Sequence, residues 1–204
     1  AGYVVILPVY GGAPWDWYKD AIDKTRTAMI DIFLGQVGFT KPSFSNVALV
    51  GQSLGGTYAL KFADEAQSLW LPSPKAIVLH DAAGYSSLSL VSPPGTHPSW
   101  LTDLAGMDDN AVLVVVAAQE TWDADIASGF FTGNASAIWL RGWFLTGTVR
   151  VKRGYRVPGG HFGNLGANGS AVYNTYRDIT LNTLRAAFDD APLPDAAGAE
   201  RFQW

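Results

Sequence analysis

A serine placed between two glycines is the strongest chemical signal in this chain of 204 residues. The segment Gly51-Gln52-Ser53-Leu54-Gly55-Gly56 directly follows an apolar run that ends at Val50, and a helix-compatible stretch comes after it. A serine hydroxyl becomes an effective nucleophile only when a base and an oxyanion-stabilising group can both reach it. A sharp turn from strand to helix exposes the serine in this way, and small neighbours allow the backbone to approach closely. The pattern predicts Ser53 as the nucleophile and the amide of Leu54 as a donor to the oxyanion.

Three histidines are candidates for the base, and their surroundings distinguish them. His161 lies in a glycine-rich loop between the last predicted strand and the last predicted helix, where no packing requirement explains an imidazole. We therefore predict that His161 is the general base. His80 ends a predicted strand and is expected to be a hydrogen-bonded residue near the site, whereas His97 is expected to face solvent.

The acid that would orient the imidazole is less sharply indicated. Glu120 follows a buried strand and is the preferred candidate, because the acid must hold the imidazole in the correct tautomer. Asp123 and Asp125 lie just beyond it and would serve if the turn is longer. Asp81, at the end of the preceding strand, is a fourth candidate. The competing interpretation of each carboxylate is that it caps a helix in contact with solvent.

Apolar runs alternate with amphipathic segments along the chain, which indicates strands alternating with helices. The predicted strands are Tyr3–Leu7, Asn46–Val50, Ala76–Leu79, Ala111–Ala118 and Thr148–Lys152. The predicted helices are Asp16–Leu34, a segment from Leu54 to about Gln67, a helix within Asp125–Phe144, and Ser170–Phe188, with a short one near Trp100–Leu104 in a surface excursion over residues 84–110. We expect an α/β fold: a mostly parallel sheet with helices on both faces, in one domain of residues 1–188, followed by a flexible tail of residues 189–204.

The serine motif in its strand-to-helix setting, followed by an acid and then a histidine after later strands, resembles the α/β-hydrolase superfamily of serine esterases and lipases. The resemblance covers residues 3–188 and identifies a superfamily rather than a substrate. It implies a Ser–His–acid triad and a second oxyanion donor from the loop after a neighbouring strand. Here that donor would be the amide of Tyr10 or Gly11. On the alternative reading, the strands that carry this loop lie upstream of residue 1 and are missing from the sequence.

Composition excludes several classes of function. The formal net charge of −4 disfavours a nucleic acid or an anionic membrane surface as partner, and no apolar run is long enough for a membrane-spanning helix. The chain has no cysteine and no metal-binding motif, so we expect neither a metal nor another cofactor. Abundant aromatic residues and sparse charge are typical of a well-filled core, and they also suit a protein that handles apolar or polymeric substrate outside the cell. Because the chain begins with Ala1 rather than Met, we also expect either that a leader or an earlier segment has been removed or that the sequence starts within a domain.

These observations predict a hydrolase of carboxylic esters that acts through an acyl-enzyme, on a small-molecule or polymeric ester. Several aromatic side chains could line an apolar pocket for it: Tyr10, Trp15, Trp17, Trp122 and Phe162. The alternative function is a non-catalytic or truncated binding protein on the same scaffold, because the N-terminal side is short and the second oxyanion donor is uncertain.

Overall fold

The sheet consists of five strands in a computed structural model that describes residues 3–8, 17–36, 38, 43–82, 111–120 and 151–202. In chain order these are β1 (Ala48–Gln52), β2 (Ala76–His80), β3 (Val112–Ala118), β4 (Val151–Val157) and β5 (Glu200–Phe202). The spatial order is the same, β1-β2-β3-β4-β5. The first four strands are parallel, and β5 is antiparallel to β4. The expected α/β character is confirmed.

Three α-helices flank this sheet in the described residues: α1 (Trp17–Phe33), α2 (Leu54–Glu65) and α3 (Ala171–Phe188). These bounds confirm the three corresponding helix predictions to within about two residues, the usual uncertainty of helix ends. The predicted helices within residues 125–144 and near residues 100–104 lie outside the described residues. No described helix is both long and apolar enough to cross a membrane.

The central strand β3 divides the core into two layers. Leu113 and Val115 point into a cluster that includes residues of α1 and α2, whereas Val112, Val114 and Val116 point into a second cluster with α3. Side chains alternate between the two faces of a strand, so a fully apolar strand must be covered on both sides. Every residue of β3 is buried. The helices therefore cover the two faces of a sheet whose centre is entirely apolar.

The apolar run Tyr3–Leu7 was expected to be a buried strand, and this expectation is wrong. Residues 3–8 form no strand, and the side chains of Val5 and Leu7 are 81% and 82% exposed. Among the described residues β1 pairs only with β2, so β1 is an edge of the sheet. An apolar run reports hydrophobicity but does not supply a hydrogen-bonding neighbour. The segment instead lies near the end of α3, where the ring of Tyr3 is 6.3 Å from that of Phe188.

Strand β4 and the C-terminal segment after it also differ from expectation. The strand predicted at residues 148–152 corresponds to β4, which continues to Val157. The prediction ended too early because charged side chains interrupt the apolar run, although Tyr155 and Val157 are buried. The tail after Asp189 was expected to be loose, and the structure corrects this. The hydroxyl of Tyr155 donates a hydrogen bond to the carbonyl of Pro194 (2.9 Å), and β5 then pairs with β4. This segment covers an edge that β4 would otherwise leave unpaired.

Candidate active site

Ser53 occupies the single residue between β1 and α2, and its backbone conformation is unusual. It has φ 52° and ψ −127°, in a region that favours glycine, and holding another residue there costs about 1–3 kcal/mol. Two hydrogen bonds fix the turn: Ser53 N donates to the carbonyl of His80 (3.1 Å), and Gly56 N donates to the carbonyl of Ser53 (3.0 Å). Ser53 is the N-cap residue of α2, but its side chain accepts no capping hydrogen bond. Its hydroxyl is therefore not used to stabilise the helix.

The glycines around this turn are required for different reasons. A Cβ on Gly51 would lie 2.3 Å from the carbonyl oxygen of Gly55, and a Cβ on Gly56 would lie 2.6 Å from the Cβ of Ala82. A Cβ on Gly55 itself would meet no described atom within 4 Å. We expected close packing to demand glycine at both positions that flank the serine. The structure places that demand on Gly51 and Gly56 instead.

Asp81 and His161 form the ionisable pair of the site. The imidazole Nδ1 of His161 is hydrogen-bonded to Oδ2 of Asp81, whose side chain is only 1% exposed. The other carboxylate oxygen, Oδ1, accepts from the amide of Ala118 (3.2 Å). A carboxylate on Nδ1 keeps the proton on that nitrogen, which leaves Nε2 as a proton acceptor. Like Ser53, Asp81 has a positive φ, of 45°, so two residues at this edge of the sheet have a strained backbone conformation.

The structure brings Asp81, rather than the preferred candidate Glu120, into contact with the imidazole. Glu120 is exposed, and its carboxylate lies beside Gly160, where Oε2 would be 2.7 Å from an added Cβ. Its amide donates to the carbonyl of Gly159 (3.1 Å), so it contacts the histidine loop through the backbone. The imidazole turns instead toward β2, because Asp81 at the end of that strand presents a buried carboxylate. Asp123 and Asp125 lie outside the described residues.

The ends of the parallel strands bring Ser53 and His161 to the same edge of the sheet. The amide Nε2 of Gln52 donates a hydrogen bond to the carbonyl of His161 (3.0 Å), and this contact joins residues 109 positions apart. The backbone amide of Ser53 donates a hydrogen bond to the carbonyl of His80, the residue before Asp81. Among the described residues no hydrogen bond joins the Ser53 hydroxyl directly to the imidazole. The contacts made by the side-chain amide of Gln52 and by the backbone amide of Ser53 hold the two residues at one edge of the sheet.

Two neutral side chains, those of His80 and Tyr176, lie near the buried carboxylate of Asp81. His80 is buried, its Nε2 is 3.0 Å from the hydroxyl of Thr180, and burial lowers its pKa to about 4. The ring of Tyr176 lies edge-on to His80 at 5.0 Å. Burial, and secondarily the charge of Asp81, raises the pKa of Tyr176, so this residue remains a neutral phenol. The sequence prediction that His80 is a hydrogen-bonded residue near the site is confirmed.

Leu54, the predicted oxyanion donor, is the first residue of α2 and follows Ser53 directly. The first amides of a helix lack intrahelical acceptors, and the helix dipole favours negative charge near them. The expected second donor, Tyr10 or Gly11, lies outside the described residues, as do Trp15, Trp122 and His97.

Two of the aromatic residues predicted to line a pocket lie in described segments. Trp17 lies in α1 and packs against the first core cluster. Phe162 is 66% exposed, and its ring meets the imidazole of His161 edge-on at 4.8 Å. Phe162 is therefore an exposed aromatic side chain in direct contact with the candidate base.

Neither protein-family models nor curated proteins match this chain. The functional assignment of the site therefore depends on its own geometry and chemistry.

Proposed function

We propose that this protein is a serine hydrolase of carboxylic esters, with Ser53 as nucleophile, His161 as base and Asp81 as the acid that orients the base. One observation carries the proposal. A serine in a strained turn has a hydroxyl that does not cap its helix, and a buried carboxylate–imidazole pair lies at the same edge of the sheet. Strained residues that lack a structural explanation are concentrated at functional sites.

In the first half of the proposed reaction, Oγ of Ser53 attacks the ester carbonyl while Nε2 of His161 takes the hydroxyl proton. The negative charge that develops on the carbonyl oxygen is stabilised by the amide of Leu54 at the start of α2. The imidazolium is stabilised by the carboxylate of Asp81. His161 then gives its proton to the departing alcohol, and the acyl group stays on Ser53.

In the second half, His161 takes a proton from a water molecule, which attacks the acyl carbonyl. The tetrahedral intermediate again places its charge at the amide of Leu54. When it collapses, His161 returns the proton to Oγ of Ser53 and the carboxylic acid leaves. No redox cofactor is required, and every proton moves through one imidazole.

We further propose that the fold belongs to the α/β-hydrolase superfamily. In support, a mostly parallel sheet carries helices on both faces, and the serine turn joins a strand directly to a helix. The chain order Ser53, Asp81, His161 is the order of nucleophile, acid and base in that superfamily. Some lipases of the superfamily resemble this arrangement, in which the acid follows the strand next to the nucleophile strand.

Labelling with a fluorophosphonate probe tests the proposed function. The probe phosphonylates a serine only when a base activates it, so the wild-type protein should be labelled and Ser53→Ala should not. Ser68→Ala is the matched control, because that hydroxyl bonds only the carbonyl of Glu65 on the surface and its loss should not affect labelling. A wild-type protein that is folded but not labelled would favour the alternative, a non-catalytic binding protein on this scaffold.

A panel of p-nitrophenyl esters of increasing acyl length then defines the substrate class. Hydrolysis that is fastest with short acyl chains would indicate an esterase, and hydrolysis that is fastest with long chains would indicate a lipase. Phe162→Ala should raise KM for esters more than it lowers kcat, because the exposed ring lies beside the base and takes no part in proton transfer.

A further inference from the structure

The loop that carries His161 is rich in glycine, so its own residues restrict its backbone conformation little. Glycines occupy positions 159, 160 and 163, and Gly159 has φ +104°. Glycine samples more backbone conformations than any other residue, so such a loop has a high entropic cost of ordering. The imidazole must nevertheless keep a fixed orientation if Nε2 is to accept a proton from the nucleophile. Contacts from outside the loop must therefore fix its position.

The loop is fixed from three directions. Asp81 holds the imidazole through Nδ1, and the amide of Glu120 holds the carbonyl of Gly159 at 3.1 Å. The third contact is the hydrogen bond from Nε2 of Gln52 to the carbonyl of His161, at 3.0 Å. Among the contacts of the described residues, this third one reaches the backbone of the histidine itself.

Gln52 is the last residue of β1 and immediately precedes Ser53. Its backbone pairs with His80 in the adjacent strand, so its main chain is fixed by the sheet. Its side chain is partly buried, which reduces competition from water for the amide donor. The contact therefore ties the backbone of the base to the strand that carries the nucleophile.

We propose that Gln52 is a positioning residue that sets the distance and orientation of His161 relative to Ser53. This inference rests on the proposed function, since it requires that these two residues react together. Gln52 does not itself exchange a proton or contact the reacting atoms. It acts through the backbone of His161, and its loss increases the fraction of molecules in which the imidazole is misaligned.

Gln52→Leu tests this, because leucine has a similar volume and no donor. Displacement of a catalytic group by about 1 Å costs up to about 100-fold in rate, so we expect kcat for a p-nitrophenyl ester to fall about 10- to 100-fold. KM should change less than about two-fold, because substrate contacts are retained. Gln67→Leu, an exposed glutamine just beyond α2, is the matched control and should leave both constants unchanged.

A double-mutant cycle with Asp81→Asn separates positioning from general loss of structure. Asp81 and Gln52 hold the same residue, so the effect of the double variant on kcat should be smaller than the product of the two single effects. Exchange of the amide hydrogen of Gly163, which is bonded to the carbonyl of Gly160 (2.8 Å), should be faster in Gln52→Leu. Multiplicative effects, or unchanged kcat in a folded Gln52→Leu protein, would overturn the proposal.

Gln52→Glu keeps the test decisive if leucine prevents folding. Glutamate has the same shape but places an oxygen against the carbonyl of His161, so the donor is lost while the packing is kept. We expect the same fall in kcat in a variant that circular dichroism shows to be folded, whereas retained kcat would refute the role. If the wild-type protein is not labelled by fluorophosphonate, the proposed function fails. If the wild type is labelled and both variants are labelled equally fast, only the role of Gln52 fails.

Discussion

Asp81→Asn isolates the charge of the buried acid from its geometry. Asparagine has the shape of aspartate and tolerates a positive φ better than most residues, so the strained conformation at φ 45° is preserved. The amide oxygen of asparagine can still accept the hydrogen bond from the amide of Ala118. The amide nitrogen then faces Nδ1 of His161 as a donor. This forces the proton of the neutral imidazole onto Nε2, which can no longer act as a base.

The size of the effect follows from two contributions. The lost attraction between carboxylate and imidazolium, for charge centres about 5 Å apart at an effective dielectric constant of about 20, amounts to about 3 kcal/mol. The side chain of Asp81 is 1% exposed but that of His161 is 33% exposed, so solvent partly screens this interaction and a dielectric constant well above that of a dry interior applies. Breaking the incorrect hydrogen bond to restore the active tautomer costs about 1–2 kcal/mol more. The sum lowers kcat by a factor between about 10³ and 10⁴.

The assay is steady-state hydrolysis of a p-nitrophenyl ester, with circular dichroism melting to confirm that the variant is folded. Glu120→Gln is the matched control: it removes a carboxylate near the same loop that does not contact the imidazole, so kcat should change less than about three-fold because exposed charges interact weakly. If Asp81→Asn keeps more than a tenth of wild-type kcat while Glu120→Gln loses most of it, the assignment of the acid is wrong.

Three further predictions concern stability and its dependence on pH. Ser53→Gly should abolish ester hydrolysis yet raise the free energy of unfolding by about 1 kcal/mol in urea titrations, because glycine relieves the strained turn; a lower value would contradict the strain. Gly51→Ala should lower the melting temperature, since its Cβ would lie 2.3 Å from a carbonyl oxygen and overpacking costs about 1–3 kcal/mol, whereas Gly55→Ala should be tolerated. His80 binds a proton in the unfolded chain below its ordinary pKa of 6.5 but in the folded protein only below about 4. Its contribution to stability is therefore present above pH 6.5 and decreases, by at most about 3 kcal/mol, as the pH falls to about 4. Urea titrations from pH 4 to 8 measure this, and a slope that is equally steep in His80→Gln would refute it.

The turn that carries Ser53 can be predicted from the sequence because the signals for it are local. Ser53 and the glycines around it form one continuous segment, and the strand before it and the helix after it have distinct periodicities. His161 is conspicuous for a similar reason, as an imidazole in a glycine-rich loop. These features do not depend on knowing which strands are neighbours.

The choice of acid does depend on that knowledge. Asp81 and Glu120 both follow buried strands, and their sequence contexts are nearly equivalent. They differ in that Asp81 follows β2, the strand next to β1, and has a strained backbone conformation that no local sequence pattern predicts. The contact of Gln52 with His161 is equally hidden, because it joins residues 109 positions apart. The misassigned strand at residues 3–7 has the same origin, since hydrophobicity does not identify a pairing partner.

The three residues of the proposed triad follow three different strands, and the proposed base is encoded 80 positions after the proposed acid. During synthesis the ribosome therefore releases Ser53 and Asp81 well before His161, so we expect a truncated chain that stops before β4 to lack the proposed activity. Such distant contacts also slow folding, because long loops must close before they form. If the proposed activity holds, recovery of ester hydrolysis after dilution from denaturant should report completion of the whole parallel sheet rather than of any single helix.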